Sequence, residues 1–259
     1  MPRRSTSNHD IAAGVERGVD IPTSSGVVRL TDEPDGSTTV WVNGVPSSSM
    51  RAENDVLDFE YMRHEAAAID AWQVPEKMLV LHVGAGTCTL ARYLAHRYPD
   101  SRHIAVDVDA DLPQFAREWW DLPRSPRLRV RQQDGAEAVA SRHDASLDVI
   151  VRDAFAGSTT PPALSNDHWW SEARRVTRSH GVVVANIGTH PRDDSHRSDL
   201  AAARAAFGDA IAIGEPAVLK GRRHGNVILV TGVGVDVDTL RRYAASAPLP
   251  TSVTMDWQG

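Results

Sequence analysis

The spacing of apolar residues changes character three times along the chain. Residues 1–25 are polar and show no sustained period, so they are expected to form a flexible arm. From residue 26 the texture becomes β-rich, with Val27-Val28-Arg29-Leu30 and Thr38-Thr39-Val40-Trp41-Val42 as short strands. Asp35-Gly36 lies between them and Asn43-Gly44 follows the second, and both pairs are hairpin signals because Gly and Asn tolerate positive φ. Phe59, Met62, Ala66 and Ile69 then recur at helical spacing, in a helix expected to end near Gln73-Val74-Pro75. A small antiparallel unit over residues 26–65 is therefore expected ahead of the main domain.

The remainder alternates strands with helices. Met78–Val83 is a continuous apolar run, the pattern of a strand buried on both faces. Further strands are read at His103–Val108, Leu128–Arg131, Leu147–Val151, Gly181–Ile187, Ile211–Val218 and Val227–Thr231. Amphipathic helices separate most of them, one capped by Ser165 or Asn166. Repeated β-α-β units predict an α/β fold with a doubly wound, mostly parallel, seven-stranded sheet over residues 66–235. Residues 236–259 are read as a C-terminal helix at Thr239–Ala245 followed by a tail.

Composition narrows the class. The chain has 259 residues, 41% of them hydrophobic and 24% charged, as in a soluble globular protein. No apolar run reaches the roughly 20 residues of a membrane span, and no apolar stretch follows the basic start Arg3-Arg4. A cytoplasmic protein is expected, with no membrane partner. The formal net charge of −6 argues against a large nucleic-acid footprint. The single cysteine, Cys88, excludes an internal disulfide and a multi-thiolate metal site. His190 and His196 flank Asp193-Asp194 without metal-ligand spacing, so no metal is expected.

In an open parallel sheet, ligands bind beyond the carboxyl ends of the strands, where the winding reverses. The first strand of the alternating region ends in Gly84-Ala85-Gly86, which lets a ligand approach the backbone ahead of a helix N-terminus. A tight strand-to-helix turn without a ligand would carry the same glycines. The second strand ends in Val106-Asp107-Val108-Asp109, and Asp107, 21 residues after Gly86, is placed to accept from both ribose hydroxyls of a nucleoside. Asp109 and Asp111 are read as a solvated turn that caps the next helix. The third strand ends in Asp134-Gly135, either a β-turn or an acceptor for an adenine amine. The fourth ends in Asp153, which should face the glycine loop and is the carboxylate best placed for chemistry. Four loops carrying G-x-G, Asp, Asp-Gly and Asp describe an adenosine-type site; no P-loop motif is present, and Thr89 stands where a dinucleotide motif has its third Gly. The paired tryptophans Trp119-Trp120 and Trp169-Trp170, together with His82 and Cys88, are read as packing residues, His64 as a surface or core residue, and Arg222-Arg223-His224 as a solvated turn.

The stretches Leu79–Leu90, Ala105–Asp109, Gln133–Gly135, Asp148–Phe155, Pro162–Ser165 and Gly181–Asn186 resemble the spermidine synthase family, specifically its bacterial spermidine-synthase-like branch. The likeness covers about residues 26–232. It implies a methyltransferase-like Rossmann domain that binds decarboxylated S-adenosylmethionine and transfers its aminopropyl group to a small-molecule amine. Related folds bind S-adenosylmethionine and transfer methyl. The resemblance assigns Gly84, Ala85 and Gly86 to the glycine loop, Asp107 and Val108 to the ribose side, Asp134 and Gly135 to the adenine side, and Asp153 to catalysis. Asp58-Phe59-Glu60-Tyr61 resembles the family's acidic-Phe-x-Tyr segment, which makes Tyr61 a candidate on the amine side. Three departures fall around the acceptor: Met62-Arg63 replace Gln or His followed by Glu, Thr87 replaces an Asp, and no second acid follows Asp153. A methyltransferase acting on a small metabolite and a catalytically inactive nucleoside-binding homologue stay open as alternatives. The resemblance also implies a homodimer.

Overall fold

The computed structural model describes residues 12–72, 75–157, 159–191 and 193–259. A four-stranded antiparallel meander comes first, in the order β1 (Ile21–Thr23), β2 (Gly26–Asp32), β3 (Thr38–Val42) and β4 (Val45–Met50). Asn43 and Gly44 join the last two strands with φ of +52° and +77°, the paired positive values that a two-residue hairpin turn requires. Helix α1 (Glu60–Asp70) follows.

The main sheet then builds through β5 (Leu79–Val83), α2 (Thr89–Arg97), β6 (Arg102–Asp107), α3 (Leu112–Trp119), β7 (Leu128–Gln132), α4 (Gly135–Ala140) and β8 (Leu147–Arg152). A 3-10 turn at Pro162–Leu164 leads to α5 (Asp167–Val176), β9 (Thr177–Thr189), α6 (Ser195–Phe207), β10 (Ala210–Gly214), α7 (Pro216–Leu219), β11 (Gly225–Gly232), α8 (Val237–Ser246) and β12 (Ser252–Thr254). The strand order is β12-β10-β11-β9-β8-β5-β6-β7. Strands β5 to β9 are parallel, whereas β10, β11 and β12 pair antiparallel. The winding reverses between β5 and β8, whose register Val83↔Arg152 puts their carboxyl ends side by side.

Three apolar clusters hold these layers. On one face of the sheet, Trp169, Trp170, Ala173 and Leu200 pack on Leu81, Ile150 and Val183. On the other face, Met62, Ala66 and Ile69 of α1 and Leu94 of α2 pack on Val80, Val149 and Val184. The inner face of the small sheet (Val28, Leu30, Val40, Met50) meets Ala91 of α2 and Leu112 and Ala116 of α3. Each fully buried large side chain of this kind stabilises the fold by about 1.5–3 kcal/mol.

Several expectations need correction. The main sheet has eight strands, not seven, because Ser252–Thr254 of the expected tail pairs antiparallel with β10 and buries Trp257. Of the arm expected over 1–25, residues 1–11 lie outside the described residues. From Ala12 on, the segment is mostly exposed but is tied to the rest of the fold at several points. Ala12 is buried, Arg17 pairs with Asp32, Ile21–Thr23 is a strand, and the Ser25 amide donates to Asp109 at 3.0 Å. The boundary expected at 65/66 falls inside α1, which packs on the main sheet through its whole apolar face. The end expected for that helix at Gln73-Val74 lies outside the described residues. The strand expected at Ile211–Val218 stops at Gly214, since Pro216 lacks the N–H that a ladder needs and opens α7 instead.

Candidate active site

Burying β5 and β8 on both faces brings their carboxyl-end backbones into contact. Gly84 stands at φ +80°, and a Cβ there would lie 2.4 Å from the Asp153 carbonyl oxygen and 2.5 Å from Ala154 Cα. Glycine is thus required by packing at this position as well as by its conformation. The Asp153 amide continues the sheet by donating to Val83 O at 2.9 Å. Gly86 (φ +48°) is different, because a Cβ there would meet only Ser47 Oγ, at 3.7 Å.

The Gly86 amide donates to Asp107 Oδ2 at 2.8 Å, and the Asp109 amide donates to Oδ1 at 3.0 Å. Asp107 is therefore fixed against the glycine loop, with further lone pairs on both oxygens. Burial raises its carboxyl above the usual range, and the two N–H bonds partly oppose that rise. Val108 is 65% exposed, an apolar side chain left in solvent beside Asp107.

Asp109 is buried rather than solvated. It accepts from the Ser25 amide and hydroxyl and from the amides of Asp111 and Leu112. It caps α3 as expected, and it also fastens the N-terminal segment to the end of β6. Burial alone would raise its pKa, but the bonds from Ser25 and Leu112 outweigh this and hold the carboxyl well below the ordinary range.

Asp134 is the N-cap of α4, with Oδ1 accepting from Ala136 N at 2.9 Å and Glu137 N at 3.0 Å. Oδ2 takes neither bond. Gly135 lets this helix start pack on β5, since a Cβ would lie 2.4 Å from Val83 Cγ1.

Asp153 is the half-buried acid at the reversal point. Asn186 Nδ2 of β9 donates to its Oδ1 at 2.8 Å, and the Tyr61 hydroxyl lies within hydrogen-bonding reach. Burial raises its pKa to about 6 against the opposing bonds from Asn186 and Tyr61. The charge of Asp107, at the end of β6 on the far side of β5, also acts on it. Tyr61 is held from the other side, where its hydroxyl donates to Ser47 O of β4 at 2.9 Å. Burial, then the charge of Asp153, pushes the phenol well above its usual pKa, so it stays protonated.

The crevice therefore brings Tyr61, the Gly84–Gly86 loop, Asp107 and Asp153 together, with Asp134-Gly135 at the next strand end. Thr87 does not face it. The Thr87 side chain is buried and bonded to Ser48 Oγ at 2.7 Å, tying the loop to the small sheet. Neither Met62 nor Arg63 replaces an acid there: Met62 packs in the core, and Arg63 donates to Leu57 O at 3.0 Å. His64 is a core histidine, bonded to Tyr243 and lowered by burial to about 4. His82 and His103 pair inside the sheet at 3.1 Å. Burial pushes the Cys88 thiol up to about 12, which leaves it inert. A cavity of about 580 Å³ opens between α6, α7 and the C-terminal strand and contains none of these residues.

Three neighbours escaped the sequence reading. Asn186 and Arg152 are polar residues inside otherwise apolar strands, and Glu65 interrupts the apolar stripe Met62-Ala66-Ile69 of α1. Each is a visible break in a hydrophobic pattern. Arg152 forms a bidentate pair with Asp199, at 2.9 and 2.6 Å, between Trp169 and Trp170, and donates to Leu164 O at 2.6 Å.

This geometry defines a methyltransferase-like Rossmann protein with an acid-bearing crevice at the switch point of its sheet. Residues 80–181 match the family model of a methyltransferase domain. A probable spermidine synthase from Corynebacterium glutamicum ATCC 13032 superimposes with a TM-score of 0.86 at 33% identity, over 93% of this chain and 92% of that one. The polyamine aminopropyltransferase of Vibrio vulnificus (strain CMCP6) is 29% identical over 153 residues, 58% of this chain and 50% of that protein. The eEF1A lysine and N-terminal methyltransferase of Mus musculus is 26% identical over 156 residues, 55% of this chain and 22% of that protein. The match thus spans half the length of the Vibrio relative and less of the murine one. The chain belongs to the spermidine-synthase-like family.

Proposed function

We propose that the protein transfers an aminopropyl group from decarboxylated S-adenosylmethionine to a small-molecule amine. The observation that carries this reading is Asp153, a half-buried acid at the reversal point, raised to about 6 and held by Asn186 beside the glycine loop. Such a group is largely ionised at neutral pH, yet close enough to it to take a proton efficiently. Asp107 would accept from the ribose hydroxyls, Asp134 Oδ2 from the adenine amine, and the backbone at Gly86 would let the nucleoside approach. Val108 would pack on the base.

The acceptor arrives as an ammonium and gives one proton to Asp153. Its lone pair then forms a C–N bond to the carbon beside the sulfonium, the C–S bond breaks, and the electron pair returns to sulfur. The products are a secondary ammonium and a neutral thioether nucleoside. Alignment of nitrogen and carbon supplies several kcal/mol of the barrier lowering, and the base contributes roughly 10²–10⁴-fold.

Methyl transfer from S-adenosylmethionine is the second reading, supported by the methyltransferase-domain match and the murine relative. Calorimetric titration with the two donors separates them, since the intact donor carries a carboxylate that needs its own cation. Asp153→Asn should keep nucleoside affinity and abolish turnover, and the wild-type kcat/KM should rise as pH increases through about 6, where the base ionises. Turnover surviving in Asp153→Asn would remove Asp153 as the base. Absence of binding by either donor would favour a catalytically retired homologue. A cytoplasmic homodimer is part of the same proposal, and light scattering tests the oligomer.

A further inference from the structure

Beside Asp153 lies an arrangement of acceptors without donors. Glu65 is 0% exposed, and neither of its carboxyl oxygens has a hydrogen-bond partner. Asn186 is 1% exposed. Its Nδ2 is spent on Asp153, which leaves its Oδ1 buried and unpartnered. Glu65 stands one helical turn beyond Tyr61 on α1, so the two share a face. Its charge acts on Tyr61 and is acted on by Asp153. The Tyr61 hydroxyl donates to Ser47 O and lies within reach of Asp153, and it makes no bond to Glu65.

A carboxyl in this state is costly to the fold. Burying a polar group without a compensating hydrogen bond costs about 1–3 kcal/mol by mutational measures, and more when it ionises. A residue retained there for packing would be better replaced by Met or Leu. Three acceptor groups, two of them buried without a partner, match in number what a primary ammonium offers, namely three N–H donors and a positive charge.

We propose that Glu65 is the second carboxyl of the acceptor site, and that Glu65, Asn186 Oδ1 and Asp153 together receive the substrate's primary ammonium group. This deepens the aminopropyl-transfer reading and rests on it. When one proton passes to Asp153, the two remaining N–H bonds stay on Glu65 and Asn186. The lone pair is left where that proton was, on the side of Asp153 and the glycine loop, while the other two directions stay fixed. Glu65 thus supplies, from one turn along α1, a negative charge that Met62 and Arg63 do not. In the free protein, burial and then the charge of Asp153 hold the Glu65 carboxyl well above its usual range. The other charges acting on the pair are Arg152 and Asp107, both through Asp153, and Tyr61, which stays neutral. Binding of an ammonium ionises Glu65 and releases its proton.

The test uses the full chain and two separate titrations, 5′-methylthioadenosine for the nucleoside half and 1,4-diaminobutane or butylamine for this pocket. Each is run calorimetrically in buffers of different ionisation enthalpy to count protons. The expected result is amine binding by wild type with proton release. Glu65→Met should weaken it about 10-fold or more, Glu65→Gln less, and both should lose the release. Nucleoside affinity should be unchanged, and Tm equal or higher in both variants, because an unpartnered buried acid has gone. The proposal is overturned if wild type binds neither amine at millimolar concentration, or if Glu65→Met binds them as wild type does. It is equally overturned if the variants lose Tm and nucleoside affinity together, the mark of a structural residue. Failure of wild type to bind 5′-methylthioadenosine, with Glu65-dependent amine binding intact, would instead bring down the transfer reading and leave the ammonium pocket standing.

Discussion

Gly84 and Gly86 lie two residues apart in one loop, yet adding a methyl group to each should have opposite consequences. At Gly84 the new Cβ would stand 2.4 Å from the Asp153 carbonyl oxygen, where ordinary contact begins near 3.4 Å. The two strand ends must therefore separate by about 1 Å, and both obstacles are backbone, held by the Asp153 N–H to Val83 O bond. A positive φ costs alanine roughly 1–2 kcal/mol, and overpacking adds about 1–3 kcal/mol, so Gly84→Ala should lose about 2–5 kcal/mol. The same shift moves Asp153, and a displacement of about 1 Å at a reacting centre costs on the order of 10²-fold in rate. At Gly86 the nearest atom is a rotatable hydroxyl at 3.7 Å, so Gly86→Ala should lose only the backbone term, about 1–2 kcal/mol. If Gly86 serves ligand approach, that mild variant should nonetheless lose nucleoside affinity. Urea unfolding gives the stabilities and calorimetry with 5′-methylthioadenosine the affinities. A Gly84→Ala protein within about 1 kcal/mol of wild type, with unchanged turnover, would refute the packing argument.

Two further perturbations probe the scaffold. Asp109→Ala removes the acceptor for Ser25, Asp111 and Leu112, and should cost about 2–4 kcal/mol while exposing residues 12–25 to proteolysis. Because the folded pKa of Asp109 is depressed, its contribution is fully present above the unfolded value of about 3.9 and fades as pH falls through the folded one, so the wild-type advantage in urea should shrink only below about pH 4. Asp199→Ala strands the buried Arg152 guanidinium and should cost about 3–5 kcal/mol, whereas Arg152→Met with Asp199→Leu should recover much of that loss. Equal losses in the single and double variants, measured by urea unfolding, would contradict the buried-charge account.

Legibility in the sequence followed the locality of the interaction. The strand ends at Gly84, Asp107, Asp134 and Asp153 could be read because a buried parallel strand is a local apolar run and its carboxyl end is the next polar residue. The hairpin at Asn43-Gly44 was legible for the same reason, since two adjacent residues set its φ values. What distance in sequence concealed was pairing. Nothing local to Ser25 shows that Asp109 will receive it, 84 residues away. Nor does the polar segment Ala12–Ser25 reveal that its amides have partners in another element. Strand β12 has three residues and half-exposed side chains, so its pattern matches neither period and only its pairing with β10 defines it. Glu65 and Asn186 were visible as polar interruptions, but whether such a residue is satisfied can be learned only from what surrounds it.

The two halves of the crevice have different structural origins. The glycine loop, Asp107, Asp134 and Asp153 stand on the ends of four parallel strands of one sheet, where the strand ladder fixes each position relative to the next. The opposite wall comes from the small sheet and α1. Tyr61 hangs on Ser47 O, Asp58 is clamped by Ser49 Oγ at 2.7 Å and Arg51 Nε at 2.8 Å, and Ser48 holds Thr87. A change on this wall can be absorbed by its own contacts without disturbing the sheet. Thr87 shows how: its buried hydroxyl turns to the small sheet and bonds Ser48 there. On that wall Glu65, one turn of α1 beyond Tyr61, is an acid whose carboxyl feels the charge of Asp153.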